Sequence, residues 1–408
     1  MAKNIVICCD GTGNQVEGNL SNVLKLFQIV IRDDTQRVCY QPGIGTIGTD
    51  DAWTRLKQNT KAVFELATGY GLDDEILGAY KFLVEQYEDG DDIFLFGFSR
   101  GSYTVRALAA FVHMVGLLHP DQGNISDYAL TSYKQSGAES NFQLAWNFSR
   151  ITDARRITIK FIGVWDTVAS LIVPRWDRLI PFPTLQTLPY TATNSSVEIF
   201  RQAMAIDERR RMFRLNRWHQ PQDFIANPFN VPPPKVAQDI KQVWFAGVHS
   251  DVGGGYPEIE SGLSKFPLAW LIDEAAAKGL KIDVALKDHL VFGKPYLRSK
   301  QHYVPPDAAA PLHQSLTWAW WLLEWIPKRT KYEEWPDRTK FDGLYIPCGE
   351  PRMIENATVR QLVHESVIDR MRRMPDYKPV NFPKDFDVEP WPYPPAASIA
   401  APVQLPAP

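Results

Sequence analysis

The sequence predicts an α/β fold, in which a mostly parallel, doubly wound sheet carries inserted lid-like segments. Three observations support this prediction. Apolar runs of strand length alternate with helical patterns, as in parallel sheets that helices cover on both faces. One of these runs, residues 93–98, leads directly into the motif Gly97-Phe98-Ser99-Arg100-Gly101. Two further runs end at Asp166 and His249, at the strand ends where such sheets hold their ligands.

The first half of the chain begins with an apolar run over residues 4–9, which stops at the glycine loop Asp10-Gly11-Thr12-Gly13. A run without polar interruption is typical of a buried parallel strand, because both of its faces are covered. The predicted elements that follow are a helix over 20–31, a strand over 37–41, an amphipathic helix over 72–88, a strand over 92–97 and a helix over 101–115.

The second half supplies the remaining predicted elements, which are strands over 157–165 and 242–248, a basic helix near 198–213 and a helix over 267–278. A proline-rich stretch at about 169–235 and a tryptophan-rich stretch at about 285–345 interrupt the alternation. We interpret both as insertions that roof an active site within one domain, residues 1–388. Residues 389–408 are rich in proline and alanine, which is typical of a disordered tail.

The 408-residue chain has the composition of an ordinary globular enzyme, with 45% hydrophobic and 22% charged residues. Its net charge of −3 and the lack of a dominant basic stripe argue against nucleic acid as a partner. The four cysteines form no C-x-x-C pair, and the sequence contains neither a signal peptide nor an apolar run that could span a bilayer. We therefore expect a protein that is cytoplasmic as synthesised, and the composition indicates no particular protein partner.

The motif from Gly97 to Gly101 predicts a nucleophilic serine. At a sharp strand-to-helix turn the serine hydroxyl is exposed at the end of the sheet, and flanking glycines avoid clashes with the neighbouring strand and helix. The motif alone has little specificity, and a serine in an ordinary glycine-flanked turn is the alternative. The strand before it and the helical spacing after it favour Ser99 as a nucleophile.

A nucleophilic serine needs a base to take its proton and an acid to orient that base. In doubly wound hydrolases these residues follow in the order Ser, Asp, His, each just past a strand. Asp166 and His249 fit that order and position. The alternatives are a strand-end cap for Asp166 and a loop role for His249, hydrogen-bonded to Asp251. His313 and His364 are weaker candidates for the base.

The tetrahedral intermediate of acyl transfer needs backbone donors for its oxyanion. The amide of Arg100, directly after the nucleophile, is the expected first donor. The loop after the first strand is the best-placed source of a second donor, which points to Gly11 and Thr12. The alternative for this loop is a tight turn in which Asp10 caps the following helix or the loop itself.

A metal site is the main chemical alternative. Asp10, Asp166, His249 and Asp251 could ligate a cation, and the loop that begins at Cys8 faintly resembles the Asp-x-Asp-Gly-Thr loop of Mg-dependent phosphatases. The first aspartate of that loop is the nucleophile, whereas Cys8 stands in its place here, and a hard cation prefers carboxylate oxygen to a thiol. The sequence therefore favours serine hydrolysis without a metal or an organic cofactor.

Two other segments have features of a lipid enzyme. Trp318, Trp321, Leu322 and Trp325 fall on one face of a predicted helix, which either forms a lid or lipid-contacting element or packs onto the core. The arginines within residues 205–213 either bind a phosphate headgroup or form structural ion pairs, and we favour the ion pairs.

The motifs CDGTGNQ, LFGFSRGSYTVRALAAF, FIGVWDTVAS, AMAIDERRRMFRLNRW and VWFAGVHSDVGGGYPE occur in this order. In combination they resemble the uncharacterised α/β-hydrolase family that includes the class-1 type VI secretion lipase effectors, over about residues 3–380. The resemblance implies an α/β-hydrolase core, lipase or phospholipase chemistry and export by type VI secretion. It also implies Ser99 as nucleophile, with Asp166 and His249 as its partners.

Together these observations predict a serine hydrolase that cleaves an acyl ester, with a lipid or phospholipid as substrate and peripheral contact with a membrane. Two alternatives remain beside the metal-dependent phosphohydrolase. One is an esterase that acts on a soluble or polymeric ester, and the other is a hydrolase-like binding module without catalysis. An intact serine, histidine and acid disfavour the binding module.

Overall fold

A computed structural model describes most of the chain. The described residues are 2–11, 19–43, 71–138, 142–168, 172–174, 183–185, 188–226, 236–325, 327–329, 340–341, 343–354 and 359–394. The statements about structure below refer to these residues. Thr12 and residues 395–408, which carry parts of the predictions above, lie outside them.

The strands, in chain order, are β1 Asn4–Cys9, β2 Gln36–Gln41, β3 Asp92–Phe98, β4 Ile159–Trp165, β5 Ile172–Pro174, β6 Pro183–Leu185, β7 Val197–Ala205, β8 Asp223–Phe224, β9 Val236–Ala237, β10 Asp239–Phe245, β11 Lys328–Arg329, β12 Lys340–Phe341, β13 Leu344–Tyr345, β14 Gln361–His364 and β15 Phe386–Glu389. Eight of them form one sheet in the order β15-β14-β10-β7-β4-β3-β1-β2. Every pairing within this sheet is parallel. The remaining strands form small antiparallel ribbons.

The α-helices are Asn22–Ile29, Leu72–Gln86, Arg100–Val115, Ser126–Ala138, Gln143–Ile151, His249–Gly253, Lys265–Ala276, Val284–Phe292, Trp318–Glu324 and Glu365–Arg373. They cover both faces of the sheet. Successive side chains of each strand point to opposite sides, so each face has its own apolar cluster. Ile5 and Ile7 of β1 join one apolar cluster, whereas Val6 and Cys8 join another. None of these helices in the described part of the chain combines the length and apolar character that a membrane span requires.

The sheet reverses its winding between β1 and β3. The helix after β3, Arg100–Val115, packs with Leu72–Gln86 on one face. The helix after β1, Asn22–Ile29, packs with Val284–Phe292 on the other face. In an open parallel sheet, such a reversal leaves a crevice at the carboxyl ends of the two strands, and ligands bind there.

The α/β fold and the parallel sheet are as predicted, and the predicted elements of the first half are present with ends shifted by up to two residues. The predicted basic helix near 198–213 is wrong. Residues Val197–Ala205 form β7, a buried strand between β4 and β10, so the stretch 169–235 includes part of the sheet. Its polar residues obscured this strand in the sequence.

The start of the predicted disordered tail is ordered in the structure. Glu389 ends β15, the edge strand of the sheet. Trp391 then packs against Phe266 with ring centroids 4.8 Å apart. The tail prediction is therefore wrong for residues 389–394, because an aromatic pair and strand pairing outweigh the local proline content.

Candidate active site

Ser99 lies at a sharp turn between β3 and the helix Arg100–Val115. Its backbone has φ 58° and ψ −120°, in a region that residues with a side chain rarely adopt. A Cβ on Gly97 would lie 2.5 Å from the carbonyl oxygen of Gly101, and one on Gly101 would lie 2.1 Å from that of Cys9. The two flanking glycines are therefore sterically required for this turn, as the motif predicts.

Asp166 and His249 come together at the carboxyl end of the sheet. Asp166 follows β4, and His249 begins a short helix a few residues after β10. His249 Nδ1 lies 2.5 Å from Asp166 Oδ2. Both side chains are buried. The alternative in which His249 is bonded to Asp251 is not what the structure has.

Aromatic contacts place the His249 ring next to the serine turn. The ring stacks on Phe98, the residue before Ser99, with centroids 4.6 Å apart. Phe213 contacts it edge-on at 4.8 Å. These contacts leave the imidazole little freedom to rotate, so its orientation is fixed by packing as well as by Asp166.

Burial and charge shift the titration of both groups. Burial raises the pKa of the Asp166 carboxyl, but the Arg352 guanidinium and His249 outweigh it, so the pKa lies well below its ordinary value. Burial lowers the pKa of the His249 imidazole, although Asp166 acts in the opposite direction. Near neutral pH the pair therefore consists of a carboxylate and a neutral imidazole, the state that a general base requires.

Arg352 is a site residue that the sequence reasoning missed. Its Nη1 donates to Asp166 Oδ1 at 2.6 Å, and its Nη2 donates to Asp166 Oδ2 at 2.9 Å. The same nitrogens reach the carbonyl oxygens of Ala205 and Phe213. Arg352 lies in a loop without a periodic pattern, so no sequence signal distinguishes it from the chain's other arginines.

Glu208 is the second missed residue. Its Oε2 accepts the backbone amide of His249 at 3.2 Å. Arg210 pairs with it through two nitrogens, each at 2.9 Å. Burial raises the pKa of Glu208, but Arg210 outweighs it and brings the pKa to about 2. For Arg210 the structural ion pair is therefore the observed arrangement.

The loop after β1 is organised by Asp10. Its Oδ1 accepts the Gly11 amide at 2.7 Å, and its Oδ2 accepts the hydroxyls of Ser21 at 2.5 Å and Tyr40 at 2.9 Å. Ser21, in turn, caps the helix Asn22–Ile29. Asp10 thus has the structural role that the alternative interpretation described, and the Gly11 amide is engaged by it. Thr12 lies outside the described residues.

The other candidate histidines are occupied elsewhere. His313 binds Asp251 through Nδ1 at 2.6 Å and Glu260 through Nε2 at 3.0 Å. Nδ1 of His364 is 2.8 Å from the Ser366 hydroxyl, and burial lowers the pKa of His364 to about 3. Asp251 therefore positions His313 rather than His249.

The tryptophan-rich helix Trp318–Glu324 is connected to the site through Phe213. Trp320 contacts Phe213 edge-on with ring centroids 5.5 Å apart. The exposed fractions are 79% for Trp318, 39% for Trp321 and 64% for Trp325. The three tryptophans of the predicted apolar face are thus in contact with solvent and are not packed into the core.

In the described residues, no three or more His, Cys, Asp or Glu side chains form a group that could hold a metal ion. Asp10 and Asp166 instead accept hydrogen bonds from hydroxyl, amide, imidazole and guanidinium donors. A cation at either carboxylate would have to displace these donors.

Three comparisons relate the chain to known proteins. The sequence model of the family "T6SS, Phospholipase effector Tle1-like, catalytic domain" matches residues 3–274. An uncharacterized protein of Saccharomyces cerevisiae, YEL023C, is 33% identical over 228 residues, which cover 52% of this chain and 32% of that protein. The chain thus spans about a third of the length of that relative.

Two solved structures are also similar. An uncharacterized protein from Pseudomonas aeruginosa has 19% identity and a TM-score of 0.37, and the match covers 70% of this chain and 47% of that one. The Tle1 effector bound to the VgrG spike of the type 6 secretion system has 19% identity and a TM-score of 0.33, with coverages of 64% and 53%.

Proposed function

This chain belongs to the family of Tle1-like phospholipase effectors, whose catalytic-domain model matches more than half of it, and we propose that it is a serine hydrolase that cleaves an acyl ester of a lipid. Ser99 is the proposed nucleophile, His249 the base and Asp166 the acid. The observation that carries the proposal is the strained turn at Ser99 beside the buried His249–Asp166 pair.

In the proposed reaction, Ser99 Oγ attacks the ester carbonyl carbon while His249 Nε2 takes the hydroxyl proton. The tetrahedral intermediate collapses as the bond to the alcohol breaks, and His249 gives its proton to the leaving oxygen. Water then attacks the acyl-enzyme and transfers a proton to His249. The carboxylic acid leaves as the bond to Ser99 breaks, and His249 returns the proton to Ser99 Oγ.

Two of the proposed oxyanion donors follow the strands that border the crevice, Gly11 after β1 and Arg100 after β3. Arg100 is the first residue of its helix, so its backbone amide has no hydrogen-bond acceptor within the helix. The Ser99 side chain does not cap this helix. The positive end of the helix dipole also favours an anion there. Gly11 and Thr12 are the proposed source of a second donor, for which the Gly11 amide would have to leave Asp10.

Lipid as substrate is supported by the surface beside the site. Tryptophan favours the boundary between apolar and wet surroundings. Trp318 and Trp321 are exposed on the helix Trp318–Glu324, and exposed Trp325 directly follows it. Trp321 also borders a cavity of about 360 Å³ whose mixed lining includes Leu312, Leu316 and Val380 together with Asp207 and Lys378. We propose that this helix contacts the lipid surface and admits the acyl chain.

A fluorophosphonate probe tests the nucleophile. The wild type should become labelled and Ser99→Ala should not, because the probe forms a bond to an activated serine oxygen. Ser132→Ala is the matched control, since Ser132 is a buried serine on a helix whose hydroxyl donates to Tyr128. Labelling that survives in Ser99→Ala, or a folded wild type that never labels, would refute the proposal.

A second measurement separates lipid from soluble esters. Phospholipid vesicles and short-chain p-nitrophenyl esters should both be hydrolysed, and Trp318→Ala/Trp321→Ala should lose activity on vesicles several-fold more than on the soluble esters. Docking on a vesicle uses apolar burial, whereas a dissolved ester does not need it. Trp146→Ala, which removes an exposed tryptophan from the helix Gln143–Ile151, is the control. Equal losses on both substrates would favour an esterase for soluble or polymeric esters.

Export by type VI secretion is a further proposal that rests on the family alone. A relative in yeast shows that similar sequences are not confined to bacteria. The proposal predicts that the protein leaves its producing cell only when the secretion apparatus is assembled, which a comparison of culture media from matched strains would measure. Equal amounts in both media would contradict it.

A further inference from the structure

The acid of the proposed triad has an unusual set of hydrogen-bond donors. Oδ1 of Asp166 accepts the Ala205 amide at 2.9 Å and Arg352 Nη1 at 2.6 Å. Oδ2 is shared between Arg352 Nη2 and His249 Nδ1. A guanidinium fork therefore engages both oxygens of the same carboxylate that orients the base. Such two-point pairs are among the strongest charge-assisted hydrogen bonds.

The charges around His249 form two matched pairs. Glu208 and Arg210 make one ion pair next to the His249 backbone. Asp166 and Arg352 make the other, and both of their side chains are buried. With His249 neutral, the cluster has no net charge. Loss of Arg352 would leave one unmatched negative charge in a site that water scarcely reaches.

We propose that Arg352 is a positioning residue for the catalytic base, which neutralises the buried Asp166 carboxylate and so keeps the Asp166–His249 pair free of an added proton at lower pH. The proposal rests on the function proposed above. Arg352 also ties three separate segments together, because it bonds Asp166, Ala205 and Phe213. Phe213 contacts the His249 ring, so the same residue fixes the base from two sides.

The physical consequence concerns protonation. Without the guanidinium, a proton added to the pair removes an unmatched buried charge, whether it binds His249 or Asp166. In either case the Asp166–His249 pair binds a proton more readily, and a protonated pair cannot accept the serine proton. The acid limb is the part of the pH profile in which activity falls as the pH is lowered. Loss of Arg352 should therefore move the acid limb to higher pH, and a merely structural role would not produce such a shift.

The test compares the wild type, Arg352→Gln and Arg352→Lys in the full-length chain. One readout is the pH dependence of the rate at which a fluorophosphonate labels Ser99, and the other is the titration of His249 followed by NMR. In Arg352→Gln both should move to higher pH by about one unit or more, the size of shift that an opposite charge typically causes. Arg352→Lys retains the charge but not the fork, so its acid limb should stay near that of the wild type while its maximal rate falls.

Arg106→Gln is the matched control. Arg106 is also buried and donates to the backbone carbonyls of Thr191 and Asn216, but its hydrogen bonds do not involve the catalytic pair. It should lower stability without moving the acid limb. An unmoved limb in a folded Arg352→Gln, or an equal shift in Arg106→Gln, would overturn the proposal.

If Arg352→Gln does not fold, Arg352→Lys decides, because it keeps a positive charge beside Asp166. The proposal requires the acid limb and the His249 titration of Arg352→Lys to stay near those of the wild type, and a shift of about one unit or more overturns it. Failure of the folded wild type to label at any pH would refute the serine mechanism instead. The NMR titration of His249 would still report on Arg352, because it does not depend on catalysis.

Discussion

Within the described ranges, two histidine–aspartate pairs have almost equal length, and the two histidine rings differ in their other contacts. His249 lies 2.5 Å from Asp166, and His313 lies 2.6 Å from Asp251. The other nitrogen of His313 binds a second carboxylate, Glu260. The ring of His249 instead stacks on Phe98, next to Ser99.

Burial widens this difference. His249 is buried, and that burial lowers its pKa despite Asp166. His313 is only partly buried, and Glu260 and Asp251 outweigh that burial and raise its pKa. The raised pKa favours the imidazolium form of His313 between these carboxylates, and an imidazolium has no lone pair to accept a proton. The comparison teaches that a short hydrogen bond to a carboxylate does not identify a catalytic base. The base also needs a second ring nitrogen that is unprotonated and can accept a proton.

The largest expected effect separates the two histidines directly. If His249 is the base, His249→Asn should lower the rate of ester hydrolysis by a factor on the order of 10⁵ to 10⁶, as loss of the base does in a serine protease. His313→Asn should change it by less than about tenfold, because His313 only holds the 305–316 segment against the loop at Asp251. Rates on a short-chain ester measure both. Comparable losses in the two variants would show that the pairs are not functionally distinct.

The next effect concerns the carboxylates. Asp166→Asn should reduce the rate by about 10⁴-fold, because an amide cannot stabilise the imidazolium and favours the wrong tautomer. Asp251→Asn should have a small effect on the rate and should mainly lower the melting temperature. Kinetics and thermal unfolding on the same preparations distinguish the two. A rate loss near 10⁴-fold in Asp251→Asn would assign the second pair a role in catalysis.

Much of the sheet was predictable because its strands are apolar runs that end at polar residues. The exceptions were β7, β14 and β15. In β7, Arg201 and Gln202 break the apolar pattern. Arg201 is nevertheless buried, since Glu274 and Asp239 pair with it at 2.6 Å and 2.9 Å. Glu274 comes from a distant helix, so a window of local sequence could not reveal that this charge is satisfied inside the protein.

The residues of the candidate site also divide into those that local sequence predicts and those that it does not. Ser99, Asp166 and His249 follow strands, and the rule that parallel strands end at one edge was enough to propose them together. Arg352 follows no such rule, because a loop brings it to the site. Glu208 does follow a strand, β7, but that stretch was predicted as a helix. Arg352 also lies beyond residues 3–274, which the family model matches. Sequence reasoning could thus propose the reacting groups but not the residues that set their charge.

The smallest expected effect concerns stability, and it tests the charge on His313. A group whose pKa is raised by folding contributes stability that is fully present below its unfolded pKa, about 6.5 for histidine, and is lost as the pH rises through the folded pKa. The difference in melting temperature between the wild type and His313→Gln should therefore be largest below about pH 6.5 and shrink at higher pH.

His364→Gln provides the opposite case, since burial lowers the pKa of His364 to about 3. The stability that His364 contributes should be present above about pH 6.5 and fall as the pH is lowered. Melting temperatures of both variants between about pH 5 and pH 9 measure this contrast, and parallel curves would mean that His313 is neutral and that the two pairs differ less than their geometry indicates.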